Sequence, residues 1–306
     1  MSISTLHKLD LMAFPSSVYI KEIRNQRIAA GIDLMQEKPA GHLHDMFVAN
    51  QRTRPMIEFS TPQIATVLGL AGVAGAAPGG AVTAYLKRAA QVGNVARATT
   101  SHKKIVVNSS LLYWQQIRLP HNGVGEVQCT LCAQYDGTNA PYVYTGSVAL
   151  ATTLSASEYF GAGPVTINGT SIPGVQEITI QSGVQLMQEG GESEEYDTFV
   201  GTEQTNVIVT IQTKEVVNWS TLGLAGIALD GTAGLIFFGR AYKANDSRYS
   251  DASSNHIKGQ ALLGKAVPVD TSGDGGGTVS DTLQVVCVAS SDSVLPIVFT
   301  TATTID

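Results

Sequence analysis

The chain reads as a mainly β protein built from two tandem units, each a β-sandwich or partly closed barrel with one flanking α-helix. Three observations predict this. First, the sequence is written twice: Gly31–Glu37 (GIDLMQE) returns as Gly183–Glu189 (GVQLMQE), and Asp45–Val48 as Asp197–Val200, each about 152 residues later. Leu68–Gly72 (LGLAG) recurs unchanged at Leu222–Gly226, His102 answers His256, and Cys132 answers Cys287. Matches that keep their order over a whole unit mark a duplicated domain, dividing the chain into residues 1–150 and 151–306. Second, short runs alternate apolar and polar residues, as in Val175–Ile180 (VQEITI). Third, each unit carries a single helix-start signal.

Each unit opens with strand-like alternation and then breaks into a long polar loop. A strand follows, at Met56–Phe59 in the first unit and Val207–Ile211 in the second. Thr61 then reads as a helix N-cap with Pro62 in the first turn, and Gly69 and Gly72 as exits. Thr213 takes the cap position in the second unit, with Glu215 against the positive end of the helix dipole. Strands resume at Val82–Leu86 and Leu235–Phe238, and each unit closes on a further strand pair. The small-residue stretch Gly146–Pro164 joins the units.

Composition narrows the function. Only 14% of the 306 residues are charged, against about 25% in ordinary soluble chains, and a charge-poor exterior expects cover by partner subunits. The apolar stretch Ile64–Val82 is broken by Gly69, Gly72, Gly75, Pro78, Gly79 and Gly80, which argues against a membrane span. The amino terminus carries His7, Lys8 and Asp10 and no apolar h-region, so no secretory signal is expected and assembly takes place in a cytosol. Charge is divided unevenly: residues 1–150 hold about 13 Lys/Arg against about 8 Asp/Glu, and residues 151–306 about 6 against about 17. Units of opposite sign favour each other as neighbours and repel their own kind. The basic half lacks the aromatic interleaving of a nucleic-acid surface.

Catalytic signatures are missing: there is no GxSxG, P-loop, HExxH or dinucleotide fingerprint. Cys129 and Cys132 form a CxxC, but strand alternation points their thiols to opposite faces. His42 and His44 could share one face of a strand beside Asp45, yet the second unit has Glu194 and Tyr196 there and no third ligand is evident. Asp270–Thr278 (DTSGDGGGT) lacks the carboxylate spacing of a calcium loop and reads as a hairpin turn. No enzyme, metal or cofactor is expected.

The long loops are the functional candidates. The second unit's loop concentrates Glu189, Glu192, Glu194, Glu195 and Asp197. Carboxylates so crowded gain by ordering against cations of a neighbouring chain or ring, for which Arg52, Arg54, Lys87, Arg88, Lys103 and Lys104 are the candidates.

The succession Glu189–Val200 (EGGESEEYDTFV), Val207–Thr213 (VIVTIQT), LGLAG and Tyr135–Val143 (YDGTNAPYV) resembles tail tube proteins of long-tailed, siphovirus-like bacteriophages. The likeness runs over nearly the whole chain, and the second unit departs from the pattern at Ser290–Val298 (SSDSVLPIV). The resemblance implies a structural virion protein whose β-sandwiches pack side by side into stacked rings. The rings form a tail tube that conducts genomic DNA without binding it specifically. It further implies a tape measure protein, a tail terminator and distal tail proteins as partners. With two units per chain, three copies would supply a sixfold ring. The competing expectation is a carbohydrate- or receptor-binding tandem β-sandwich, which would expose aromatic platforms; Trp114 and Trp219 sit instead in apolar or helical contexts.

Overall fold

The computed structural model describes residues 7–88, 102–152, 158–191, 194–214, 222–243, 247–272 and 280–305. They form a mainly β protein in which every strand pairing within the sheets is antiparallel. In the N-terminal half the strands are β1 (His7–Phe14), β2 (Val18–Ile20), β3 (Arg24–Ala29), β4 (Ile32–Glu37), β5 (Phe47–Thr53) and β6 (Met56–Thr61). Helix α1 (Ile64–Ala71) follows, then β7 (Val82–Arg88), β8 (His102–Val107), β9 (Ser109–Pro120), β10 (Glu126–Gln134) and β11 (Val143–Val148). The C-terminal half begins with β12 (Tyr159–Ile167), β13 (Thr170–Ile172), β14 (Val175–Gln181), β15 (Gln185–Glu189), β16 (Phe199–Gln204) and β17 (Ile208–Thr213). It continues with the short β18 (Ile227–Ala228), then β19 (Leu235–Tyr242), β20 (His256–Ala261), β21 (Leu263–Ser272), β22 (Ser280–Val288) and β23 (Val298–Thr303).

Sheet order repeats between the halves. One outer sheet runs β11-β8-β7-β1-β2 and the other β23-β20-β19-β12-β13, strand for strand in the same relation. The inner sheet of each half likewise corresponds, as β9-β10-β6-β3 and β21-β22-β17-β14. These two are fused: β14 pairs with β9, so that one nine-stranded sheet runs β18-β21-β22-β17-β14-β9-β10-β6-β3. Fusion carries one main hydrophobic core across both halves. Trp114 of the N-terminal half is fully buried and meets Phe299 of the C-terminal half edge-on at 6.1 Å, and Phe299 meets Phe237 at 6.2 Å.

Alternation decides which face of the nine-stranded sheet is dry. Ile57, Phe59, Val127, Cys129, Ile178, Ile180, Val209, Ile211, Leu283 and Val285 are buried in the core. The intervening residues form the opposite, polar face. Cys129 and Cys132 do fall on opposite faces, Cys129 in the main core and Cys132 in a small cluster with Leu111 and Val200.

Helix α1 departs from expectation at its start. Thr61 ends β6, and its hydroxyl accepts the Gln63 N–H at 3.2 Å, so the helix begins one turn-step later with Gln63 at the cap. The cap itself comes from 92 residues away: the Glu158 carboxylate accepts the Thr66 N–H at 3.2 Å and the Thr66 hydroxyl at 2.5 Å. A carboxylate on the first-turn N–H groups satisfies an orphan donor and opposes the positive end of the dipole. The helix expected after Thr213 falls on residues 215–221, outside the described residues.

The Gly146–Pro164 stretch contains less linker than its composition suggests. Its ends are strand, in β11 and β12. Gly161 and Gly163 mark close approach: a Cβ would stand 2.9 Å from the Tyr242 ring in one case and 2.7 Å from the Phe238 carbonyl oxygen in the other. Among the described residues no helix is long and apolar enough to cross a membrane.

Candidate assembly interface

Both long loops are the tips of two-stranded arms that leave the body of the protein. Strands β4 and β5 form one arm, β15 and β16 the other, each a separate two-stranded sheet. Each arm springs from a glycine in the left-handed region: Gly31 (φ +60°) and Gly183 (φ +58°). A Cβ at Gly31 would stand 2.1 Å from the Arg54 carbonyl oxygen, and one at Gly183 would stand 2.3 Å from that of Asn206. Only glycine fits such an approach, which explains why the repeat begins at GIDLMQE and GVQLMQE. The His42-x-His44 pair lies in the loop between β4 and β5, not on a strand, and both imidazoles are exposed.

The C-terminal arm folds down on the N-terminal half of its own chain. Val200 packs with Leu111 and Cys132, and Leu186 and Tyr113 flank them. The Thr202 hydroxyl donates to the Ala74 carbonyl at 2.5 Å. At the tip, Thr53 N–H donates to the Glu195 carbonyl at 2.8 Å, Tyr135 N–H to the Asp197 carbonyl at 3.0 Å, and the Gln134 amide to the Thr198 carbonyl at 2.5 Å. Thr53 and Tyr196 form a parallel bridge, and the Tyr135 and Tyr196 rings lie 5.8 Å apart.

Charge completes this seat. Asp197, 3% exposed, accepts from Arg54 Nε at 2.9 Å, and Arg52 Nε lies 3.1 Å from its other oxygen. The Glu195 carboxylate accepts from the Asn50 amide at 2.9 Å and the Thr53 hydroxyl at 3.3 Å. The acidic loop expected to reach another chain through Arg52 and Arg54 therefore meets them inside its own chain. Folding the arm back places its backbone beside β5, a closeness that sequence spacing does not report. Glu194 is exposed and lines a shallow groove with Asp33, Gln51 and Arg52, while Glu189 stands exposed opposite Phe199. Glu192 lies outside the described residues. Lys87 and Arg88 on β7, and Lys103 and Lys104 on β8, belong to the outer sheet and are not brought to the acidic loop among the described residues. Asn50, Thr53 and Tyr135 are the partners sequence reasoning missed; the shared spacing of GIDLMQE and DMFV around the loop is the signal of a strand pair that could have located them.

The N-terminal arm has no such seat among the described residues. Val48 corresponds to Val200 and is 62% exposed where Val200 is 8% exposed. Leu34, Leu43, Met46 and Phe47 are likewise exposed. Meanwhile the place in the C-terminal half that corresponds to the occupied seat is an open groove of about 580 Å³, lined among others by Glu203, Gln204, Asn206, Val288, Asp292 and Leu295. The departing segment Ser290–Val298 forms part of its wall, and β23 beyond it pairs with β20 as β11 pairs with β8.

The edges of the nine-stranded sheet tell a parallel story. Strand β14 occupies β9 over Gln116–Pro120, while the Ala76–Leu112 bridge covers the other end of β9. On β21, β18 covers the corresponding end through Ile227–Ala266 and Ala228–Lys265, and the stretch up to Ser272 has no partner strand among the described residues. At the opposite margin β3 is open in the position that β14 fills inside the chain.

The polar face of this sheet is balanced. Ladders such as Gln128–Gln116–Gln181 and Arg118–Thr179–Thr210–Gln284 cross it. Arg118 pairs with Glu177 at 2.6 Å across the junction and Arg27 with Glu58 at 3.2 Å. The three thiols are buried, and burial pushes Cys132 and Cys287 up to about 12 and Cys129 further. Such thiols are held protonated and unreactive. Among the described residues no cluster of His, Cys, Asp and Glu gathers to hold a metal ion. No protein-family model matches the chain, and no curated protein matches it.

Proposed function

We propose that this protein is a tail tube subunit of a long-tailed, siphovirus-like bacteriophage, assembling into rings of three chains that stack into a conduit for DNA. One observation carries the reading: the halves of the chain are joined by pairing β14 to β9, and among the described residues the corresponding strands keep unpaired edge, β3 at one margin of the same sheet and β21 beyond the two residues that β18 covers at the other. A sheet whose two ends are complementary adds chains head to tail, and such a heterologous contact ends only in a closed ring or an open filament. Open edges are a liability that closure removes. Two similar units per chain fit a pseudo-sixfold ring of three, consistent with the duplication read from the sequence.

The polar face suits a conduit. Lysine and arginine facing a channel would add salt-dependent affinity at every neutralised phosphate and hold the DNA. Here Gln, Thr and Ser are interspersed with charges of both signs: Arg27 and Arg118 are each tied to a carboxylate, and Arg24 and Lys265 are offset by Glu126 and Asp270 on the same face. The basic group Lys87, Lys103 and Lys104 stands on an outer sheet across the core from that face. Negative-stain imaging of the purified protein, with mass measurement of isolated particles, tests the reading. Rings or tubes whose mass is a multiple of three chains are expected; a monomer that forms neither at high concentration would remove it.

A further inference from the structure

The open groove of the C-terminal half and the unseated N-terminal arm are two parts of one joint, and we infer that the arm of each chain docks in the groove of a second copy. The inference rests on the ring reading and names the contact that would hold it together.

The occupied seat inside the chain is the template. There the arm tip is held by two backbone donors, Thr53 and Tyr135. Carrying the repeat offset through the strand pairings places Thr205 and Ala289 at those two positions, and both line the open groove. The same offset aligns Leu43 and Asp45 of the N-terminal arm with Glu195 and Asp197, whose carbonyls receive those bonds. Apolar surface matches as well. Leu43, Phe47 and Val48 on the arm are exposed, as are Val288, Val294 and Leu295 on the groove. Covering such residues is favourable by about 25 cal/mol per Å² removed from water.

Charge separates the two seats. The inner seat offers Arg52 and Arg54 to an arm carrying Glu189, Glu194, Glu195 and Asp197. The open groove replaces those arginines with Gln204 and Asn206 and adds Glu203 and Asp292. An acidic arm placed there would meet like charge without a cation. Over the stretch that matches Glu189–Asp197 the N-terminal arm sets Lys38, His42 and His44 against Glu37 and Asp45, and so brings far less negative charge to the groove. The sheet edges follow the same rule. Arg118 faces Glu177 at the inner junction, whereas the outer edges carry Arg24 and Arg27 on β3 and Asp270 on β21, with the signs exchanged between halves. Joining N-terminal half to N-terminal half, or C-terminal to C-terminal, sets like charges together, so chains alternate.

Disulfide trapping tests the joint. Thr53 and Tyr196 are bridge partners inside the chain, and the corresponding inter-chain pair is Thr205 with His44. The double variant Thr53→Cys/Tyr196→Cys should cross-link within one chain on mild oxidation, which calibrates the geometry. His44→Cys/Thr205→Cys should instead yield covalent multimers on a denaturing gel, closing at three chains if rings form. Multimers without rings would retain the joint and remove the tube reading. Rings in which His44→Cys/Thr205→Cys stays monomeric on the gel, while the control cross-links, would overturn the joint and leave the tube. As a second measurement, Val48→Asp alters a side chain already exposed to water, so the monomer should melt as the parent does. Assembly should weaken at least tenfold; unchanged assembly also overturns the joint.

Discussion

Asp197 shows how one buried carboxylate can organise a loop. Its two arginine partners are about one-third exposed, so truncation leaves their charges access to water and the penalty is moderate. Asp197→Ala should lower stability by about 1–2 kcal/mol in urea unfolding and release the arm tip to faster amide exchange. Asp230 acts locally: its carboxylate accepts the N–H groups of Thr232, Ala233 and Gly234, and these bonds hold its pKa below the ordinary value. A depressed pKa gives stability that is full above the unfolded value of about 3.9 and is lost as pH falls through the lower folded value. The stability gap between the parent and Asp230→Ala should therefore be constant near neutrality and shrink only below about pH 4. The three thiols give a third check. Native protein at pH 8 should react slowly with a thiol reagent, and unfolded protein should titrate all 3 cysteines.

At the scale of elements, α1 depends on a residue remote in sequence. The helix has only 8 residues, too few to persist without tertiary support. Its N-terminus is held by Glu158, and its far end by Gly72, whose carbonyl accepts the Trp114 indole N–H at 2.7 Å. Glu158→Ala should cost about 1 kcal/mol, and Glu158→Gln, which keeps an acceptor, less; thermal melts of the two variants rank them. Because Glu158 immediately precedes β12, the same contact ties the start of the C-terminal half to the helix of the N-terminal half. The arms are a contrasting kind of element. Neither hairpin has a core of its own, so each needs a surface to lie on, and among the described residues the C-terminal arm has one and the N-terminal arm does not.

At the scale of the whole molecule, the proposed tube, if this polar sheet face lines it, carries a prediction about DNA. Gln128→Lys, Gln181→Lys and Gln284→Lys together would place cations on that face opposite no carboxylate and without touching the core. Tubes of this variant should retain short DNA duplexes at low ionic strength and release them as salt rises, while parent tubes retain none. Retention by parent tubes, measured by co-sedimentation, would show that the face grips DNA and would count against a free conduit.

The repeat was legible in the amino-acid sequence because it rests on residues with little freedom. Gly31 and Gly183 answer one backbone approach, and the alternating runs at Met56–Phe59 and Val207–Ile211 answer one buried face. Such local demands leave a mark at each position. The arms are not legible as strands, because a hairpin exposed on both faces, as β4 is, loses the period-two pattern that burial imposes. The sequence likewise identified Asp197, Glu195, Arg52 and Arg54 as opposite charges seeking each other, but placed them on different chains. That they meet within one chain follows from the pairing of β14 with β9, which sets the second half beside the first at a definite register. Pairing between distant strands is a property of the folded chain alone: any open edge offers the same backbone donors and acceptors, and only packing in three dimensions selects which edge is met.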